Sequence, residues 1–136
     1  MQEASVAGVK VMVIDDSNTI RHSAEILLNK CGCEVILAED GFDALAKIAS
    51  QHPDIIFVDI MMPRLDGYQT CSLIKRNPRF KSTPVIMLSS KDGLFDRARG
   101  RMVGSDEYLT KPFTQDTLQQ AISSCLAAGS NTPEKE

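Results

Sequence analysis

No apolar run in this 136-residue chain approaches the roughly 18 residues of a membrane-spanning helix. The start, Met1-Gln2-Glu3-Ala4-Ser5, has no charged region leading into an apolar stretch, so no leader is expected and the protein reads as cytoplasmic. Charge of one sign is also lacking. Fifteen Lys and Arg stand against 18 Asp and Glu, a net charge of −3, which supplies no global basic field for nucleic acid. The four cysteines, Cys31, Cys33, Cys71 and Cys125, lack the C-x-x-C spacing of a zinc site and lie in or beside apolar segments, as small buried hydrophobes do. Neither His22 nor His52 has a second histidine at metal spacing, and no helical-bundle context marks either as a phosphotransfer residue. The chain has no internal repeat and no linker before residue 128.

What is present is a sequence of short, almost wholly apolar runs alternating with helical patterns. Runs of that kind belong to strands covered on both faces. They fall at residues 9–14, 35–37, 54–60, 85–89 and 107–110. Ile20, Ala24, Leu27, Leu28 and Cys31 form one helical stripe, opened by Ser17 as a cap and closed by Gly32. Further helices are predicted over 42–50, 67–76 and 91–104, with a last stripe at Leu118, Ala121, Ile122, Cys125 and Leu126. Gly93, Gly100 and Gly104, each costing roughly 1 kcal/mol in a helix interior, mark the 91–104 helix as the loosest. Five strand-helix units with short links predict an α/β fold, a doubly wound parallel sheet in one domain over 8–128, followed by a polar, disordered tail over 129–136. A domain of this size buries about two-thirds of its unfolded surface and needs no staple.

Polar residues stand where the apolar runs end: Asp15 and Asp16, Asp59, Ser89 and Lys111. Neighbouring parallel strands would bring all five to one sheet edge, where open α/β sheets place ligands. Crowded carboxylates repel unless a cation neutralises them, and Mg²⁺, a hard ion that takes oxygen ligands, does so well. Lys111 adds a positive charge that could pair with Asp59 or a phosphoryl oxygen, and Ser89 a hydroxyl donor. An in-line nucleophile, a bridging metal and donors that follow charge are the parts of phosphoryl transfer. Asp59, at the end of a buried run and followed by turns at Pro63 and at Asp66-Gly67, is the candidate nucleophile for an aspartyl phosphate.

The pieces Val13-Ile14-Asp15-Asp16-Ser17, Asp59-Ile60-Met61-Met62-Pro63, Asp66-Gly67, Leu88-Ser89-Ser90 and Lys111-Pro112-Phe113 occur in one order at specific intervals. In them the chain resembles the receiver domain of two-component response regulators, over residues 8 to 127. The resemblance implies a flavodoxin-like (βα)5 sheet with strand order 2-1-3-4-5. It implies that Asp59 takes a phosphoryl group from a histidine kinase, with Mg²⁺ held by Asp16, Asp59, the backbone carbonyl of Met61 and, through water, Asp15. Lys111 would contact the phosphate, with the Lys111-Pro112 bond cis. Ser89 would swing toward the phosphate while Tyr108 moves inward, altering the face of the fourth helix, fifth strand and fifth helix. Met61 and Lys91 stand where receivers modulate attack of water, and the apolar Met61 predicts slow loss of the phosphoryl group.

Segments such as Asp15-Asp16-Ser17-Asn18-Thr19-Ile20-Arg21 and Met62-Pro63-Arg64-Leu65-Asp66-Gly67-Tyr68 resemble stand-alone chemotaxis-type receivers and, more closely, the PilG-like regulators of type IV pilus twitching systems. That implies a monomer with no membrane insertion and no nucleic-acid partner, signalling to a pilus or motility protein by contact. It is not an enzyme beyond its own phosphorylation and dephosphorylation. The alternatives are a phosphorylation-independent scaffold, an aspartate-nucleophile phosphatase and a flavin carrier. The phosphatase would want a D-x-D motif after the first strand, and the flavin carrier a phosphate loop that Asp15-Asp16 would repel. Arg97, Arg99 and Arg101 read as a solvated cluster beside the output face, with contact to a partner as the alternative.

Overall fold

A computed structural model describes residues 6–90 and 94–131. The elements run β1 (Lys10–Ile14), α1 (Asn18–Lys30), β2 (Glu34–Ala38), α2 (Gly41–Gln51), β3 (Ile55–Asp59), α3 (Gly67–Arg76), β4 (Val85–Ser89), α4 (Leu94–Met102), β5 (Glu107–Thr110) and α5 (Gln115–Asn131). All strand pairs are parallel, in the order β2-β1-β3-β4-β5. β3 and β4 are buried at every residue, whereas the edge strand β5 is half-buried throughout. That gradient is why the inner strands read as unbroken apolar runs.

The helices cover both faces. α2 and α3 bury Ala44, Ile48, Cys71 and Ile74 with Met12, Ile56 and Met87 on one side. α1 and α5 bury Ala24, Leu28, Leu118 and Ile122 with Val13, Phe57 and Leu88 on the other. Ser17 caps α1, its hydroxyl accepting from Ile20 N at 3.2 Å. At the far end Gly32, at φ +84°, donates to Asn29 O while Cys33 donates to Leu28 O, a Schellman closure. The same device ends α4, where Gly104 donates to Arg101 O and Ser105 to Gly100 O.

Three details differ from the sequence reading. Strand boundaries move by a residue or so. Gly100 is buried, and a Cβ there would lie 3.0 Å from Ser105 Oγ and 3.5 Å from Met87 Cγ, so this glycine lets α4 sit close on β4. α5 continues through Asn131, past the expected end at 128. Gly129 alone costs only about 1 kcal/mol, too little to stop a helix whose stripe is buried, and the next strong stop signal in the sequence is Pro133. The rest of the expected tail, residues 132–136, lies outside the described residues, as do Lys91 and Gly93. Among the described residues no helix is long and apolar enough to cross a membrane.

All four cysteines are free, Cys31 half-buried and the others buried. Burial pushes the thiols of Cys33, Cys71 and Cys125 up to about 11. A thiol that ionises later when folded binds its proton more tightly in the native state, so its contribution to stability is complete below the unfolded pKa and vanishes as pH rises through the folded one. Stability by urea titration is therefore expected to fall between about pH 9 and about pH 11. At neutral pH, iodoacetamide should label native Cys31 ahead of the other three; equal labelling rates would contradict this arrangement.

Candidate functional site

The carboxyl ends of β1, β3 and β4 and the start of the segment after β5 converge at one edge. Asp15 follows β1, Asp59 ends β3, Ser89 ends β4, and Lys111 follows β5. The parallel register sets Ser89 beside Thr110 and Met87 beside Tyr108, which puts Tyr108 two positions back along the sheet from Ser89's neighbour. Lys111 is fixed by its backbone N, which donates to Ser89 O at 2.7 Å, and the Lys111-Pro112 bond is cis, as expected.

Carboxylate oxygens of Asp15, Asp16 and Asp59 lie within 4.8 Å of one another, with Asp15 and Asp59 buried and Asp16 exposed. Lys111 Nζ bridges the two buried ones, 3.0 Å from Asp15 Oδ2 and 2.8 Å from Asp59 Oδ1. Asp15 is further held through Oδ1, which accepts from Ser17 N at 2.9 Å, and through its carbonyl, which accepts from Arg21 Nη1 at 2.6 Å. Burial pushes the Asp59 carboxyl above the usual carboxylate range, against the opposing hydrogen bond from Lys111, and Asp15 and Asp16 add to the rise. Burial would lower Lys111, but its hydrogen bonds to Asp59 and Asp15 outweigh this and hold the ammonium above its ordinary range. Two buried carboxylates and a third exposed one against a single lysine leave the pocket short of positive charge. Hard oxygen donors with surplus negative charge suit a divalent cation such as Mg²⁺.

The loop from Ile60 to Asp66 closes the site on one side. Ile60 N donates to Leu88 O, and Gly67 N to Ile60 O. A Cβ on Gly67 would lie 2.4 Å from Asp59 O and 2.7 Å from Ile60 Cα, so α3 can begin this close to the phosphoacceptor candidate only with glycine there. A capping box fixes that start: Asp66 Oδ1 accepts from Gln69 N at 2.8 Å, and Gln69 Oε1 from Asp66 N at 2.9 Å. Arg64, at φ +68°, pairs with Asp40 Oδ2 at 3.1 Å and lies 5.5 Å from the Phe42 ring centre, tying the loop to α2. Met61 in this loop is 74% exposed.

Sequence reasoning named all five edge residues and the structure brings them together. It missed Arg21, whose only signal was its place one turn inside α1, and it read Gly67 as a turn residue rather than a contact. Its picture of Arg97 and Arg99 as merely solvated is also incomplete. The Arg97 guanidinium lies 4.7 Å from the Tyr108 ring centre and that of Arg99 4.4 Å from the Tyr68 ring centre.

The sheet order, with an acidic pocket and a lysine at its carboxyl edge, defines a receiver-type protein. The chain belongs to the response regulator receiver domain family, whose model matches residues 11–123. It is 76% identical to PilG of Pseudomonas aeruginosa over 115 residues, covering 85% of each chain. It is 34% identical to PilH of the same organism, over 87% of this chain and 98% of that one. Against the alkaline phosphatase synthesis regulator PhoP of Bacillus subtilis, at 35% identity, it spans only 48% of the relative's length. Among solved structures, the chemotaxis protein CheY4 of Vibrio cholerae matches with a TM-score of 0.84 at 33% identity, over 88% of this chain and 99% of that one. The receiver domain of a sensor histidine kinase from Pseudomonas aeruginosa, whose active site cleft coordinates magnesium, matches at 0.81 and 28% identity, over 89% and 99% of the two chains. The protein is thus a receiver-domain response regulator of the chemotaxis and pilus type.

Proposed function

We propose that this chain is a phosphorylation-activated switch, with Asp59 accepting a phosphoryl group from a histidine kinase in the cytoplasm and passing the signal by protein contact in type IV pilus twitching motility. The observation that carries the reading is the Lys111 bridge over Asp59 and Asp15 inside a pocket with surplus negative charge. Asp16, Asp59 and the Met61 carbonyl, with Asp15 through water, would hold Mg²⁺. Bound there, the ion neutralises charge that builds on the transferring phosphoryl oxygens.

The remaining chemistry belongs to the side chains. Lys111 orients the Asp59 carboxyl through Oδ1. A carboxylate oxygen attacks the phosphorus of a phosphohistidine, the new O–P bond forms as the N–P bond breaks, and the imidazole leaves with the electron pair. Lys111 and the Ser89 hydroxyl then serve as donors to phosphoryl oxygens that carry about −1.5 to −2 charge. Ser89 and Tyr108 sit on strands in register, so a hydroxyl drawn to the phosphate frees space for the ring. Tyr108 must leave the guanidinium of Arg97 to fill it, which alters the α4, β5 and α5 face where a downstream pilus or motility protein would dock. A monomer suffices for this scheme.

Incubation with Mg²⁺ and acetyl phosphate should add one phosphoryl group to the intact mass, and Asp59→Asn should add none. Removal of Mg²⁺ with EDTA should also abolish the gain. A Met61→Asn variant should lose the group faster, because an amide can orient water and a thioether cannot. No gain in the parent chain would favour a phosphorylation-independent scaffold or a receiver that takes phosphoryl groups only from its kinase.

A further inference from the structure

α3 and α4 enclose a groove of about 390 Å³ on the side of α4 away from Tyr108's edge cleft. Leu65, Tyr68, Leu73 and Val103 supply apolar lining, Arg76 and Arg99 supply charge, and among the described residues no acidic one lines it. The chain as a whole carries net charge −3, yet α3 ends in Lys75 and Arg76 and α4 carries Arg97, Arg99 and Arg101. Lys75 is matched by Asp106 at 3.0 Å. Neither Arg76 nor Arg99 pairs with a carboxylate among the described residues, and both are exposed. Arg99 instead lies over Tyr68, itself only 5% exposed, and so presents its charge at the groove rim with one face already covered. Leu73, on the α3 wall, is 41% exposed and so offers apolar surface to a partner.

We propose that this groove is a second docking surface, separate from the α4, β5 and α5 face, that takes an acidic amphipathic segment of a partner protein. The fit is one of charge and shape. Apolar side chains of the segment fill the space between two helices, a common mode for an amphipathic helix, while its carboxylates meet Arg76 and Arg99. The groove is complete without a phosphoryl group, so docking does not depend on Asp59.

The test titrates the full isotope-labelled chain with a synthetic helical peptide of about 16 residues, Leu at i, i+3, i+4 and i+7 and Glu elsewhere, following amide shifts. A second peptide replaces Glu by Lys. The expected result is shifts confined to residues 65–76 and 97–103, with affinity lowered at least about tenfold by the Lys peptide, by Arg76→Glu and by Leu73→Asp. Both substitutions are at exposed positions, and the spectrum of each variant reports that it is folded. Asp59→Asn should bind like the parent, which separates this proposal from the phosphorylation reading. Absence of binding, equal binding of the Lys peptide or shifts on β5 and α5 would overturn it. So would self-association abolished by Leu73→Asp, which would assign the groove to a second copy.

Discussion

Replacing Lys111 by Met lowers the stability of the metal-free protein by about 3 kcal/mol or more. The lysine is 16% exposed and its two partners are 1% and 7% exposed, so removing the ammonium leaves two carboxylates facing each other with little water to screen them. The methionine keeps most of the stem's packing, which isolates the charge. Asp59→Asn moves the other way, raising stability by about 1 kcal/mol, because one carboxylate then meets one lysine in place of two. The sign agrees with the raised Asp59 carboxyl: such a group favours the fold while protonated, and that benefit is lost as pH rises through the folded pKa. Urea titrations in EDTA measure both. A Lys111→Met variant within about 1 kcal/mol of the parent would show that the pocket is wetter than its burial implies.

Gly67→Ala costs several kcal/mol and disables phosphoryl uptake together. At 2.4 Å from Asp59 O and 2.7 Å from Ile60 Cα, the added methyl group meets backbone rather than a flexible side-chain end. Either α3 withdraws or the end of β3 shifts. Overpacking of this kind commonly costs about 1 to 3 kcal/mol, and more where the obstacle cannot rotate away. A withdrawal also displaces the Asp66 and Gln69 box that starts the helix. Thermal melting and acetyl phosphate uptake read the two effects. By contrast, alanine at the exposed Gln69 should cost about 1 kcal/mol at most, through the capping box alone.

The alternation of apolar runs with helical stripes was legible because the middle strands are covered on both faces and the helices on one. Asp15, Asp59 and Ser89 were legible because a polar residue that ends a buried strand has few structural reasons to be there, and Lys111 because it follows the last strand-like run at the same edge. Arg21 and Arg99 were not, since an arginine on a helix looks the same whether it meets water, a carbonyl or a ring. Gly67 was read from its turn propensity, but what demands glycine there is a neighbour eight positions earlier in the chain, which no local pattern records. The start of the polar tail shows the reverse: Gly129, expected outside the domain, lies inside α5 because burial of the earlier turns outweighs its propensity.

Asp15 and Lys111 are 96 positions apart, and their bond closes only when β5 has docked on the far side of β4. Contacts of such separation carry the loop-closure cost of the whole intervening chain. During synthesis the first three strands therefore emerge with Asp15 and Asp59 present but no lysine between them. The pocket is therefore completed last, with the final strand, so a truncated or half-folded copy carries its buried carboxylates without the lysine that bridges them.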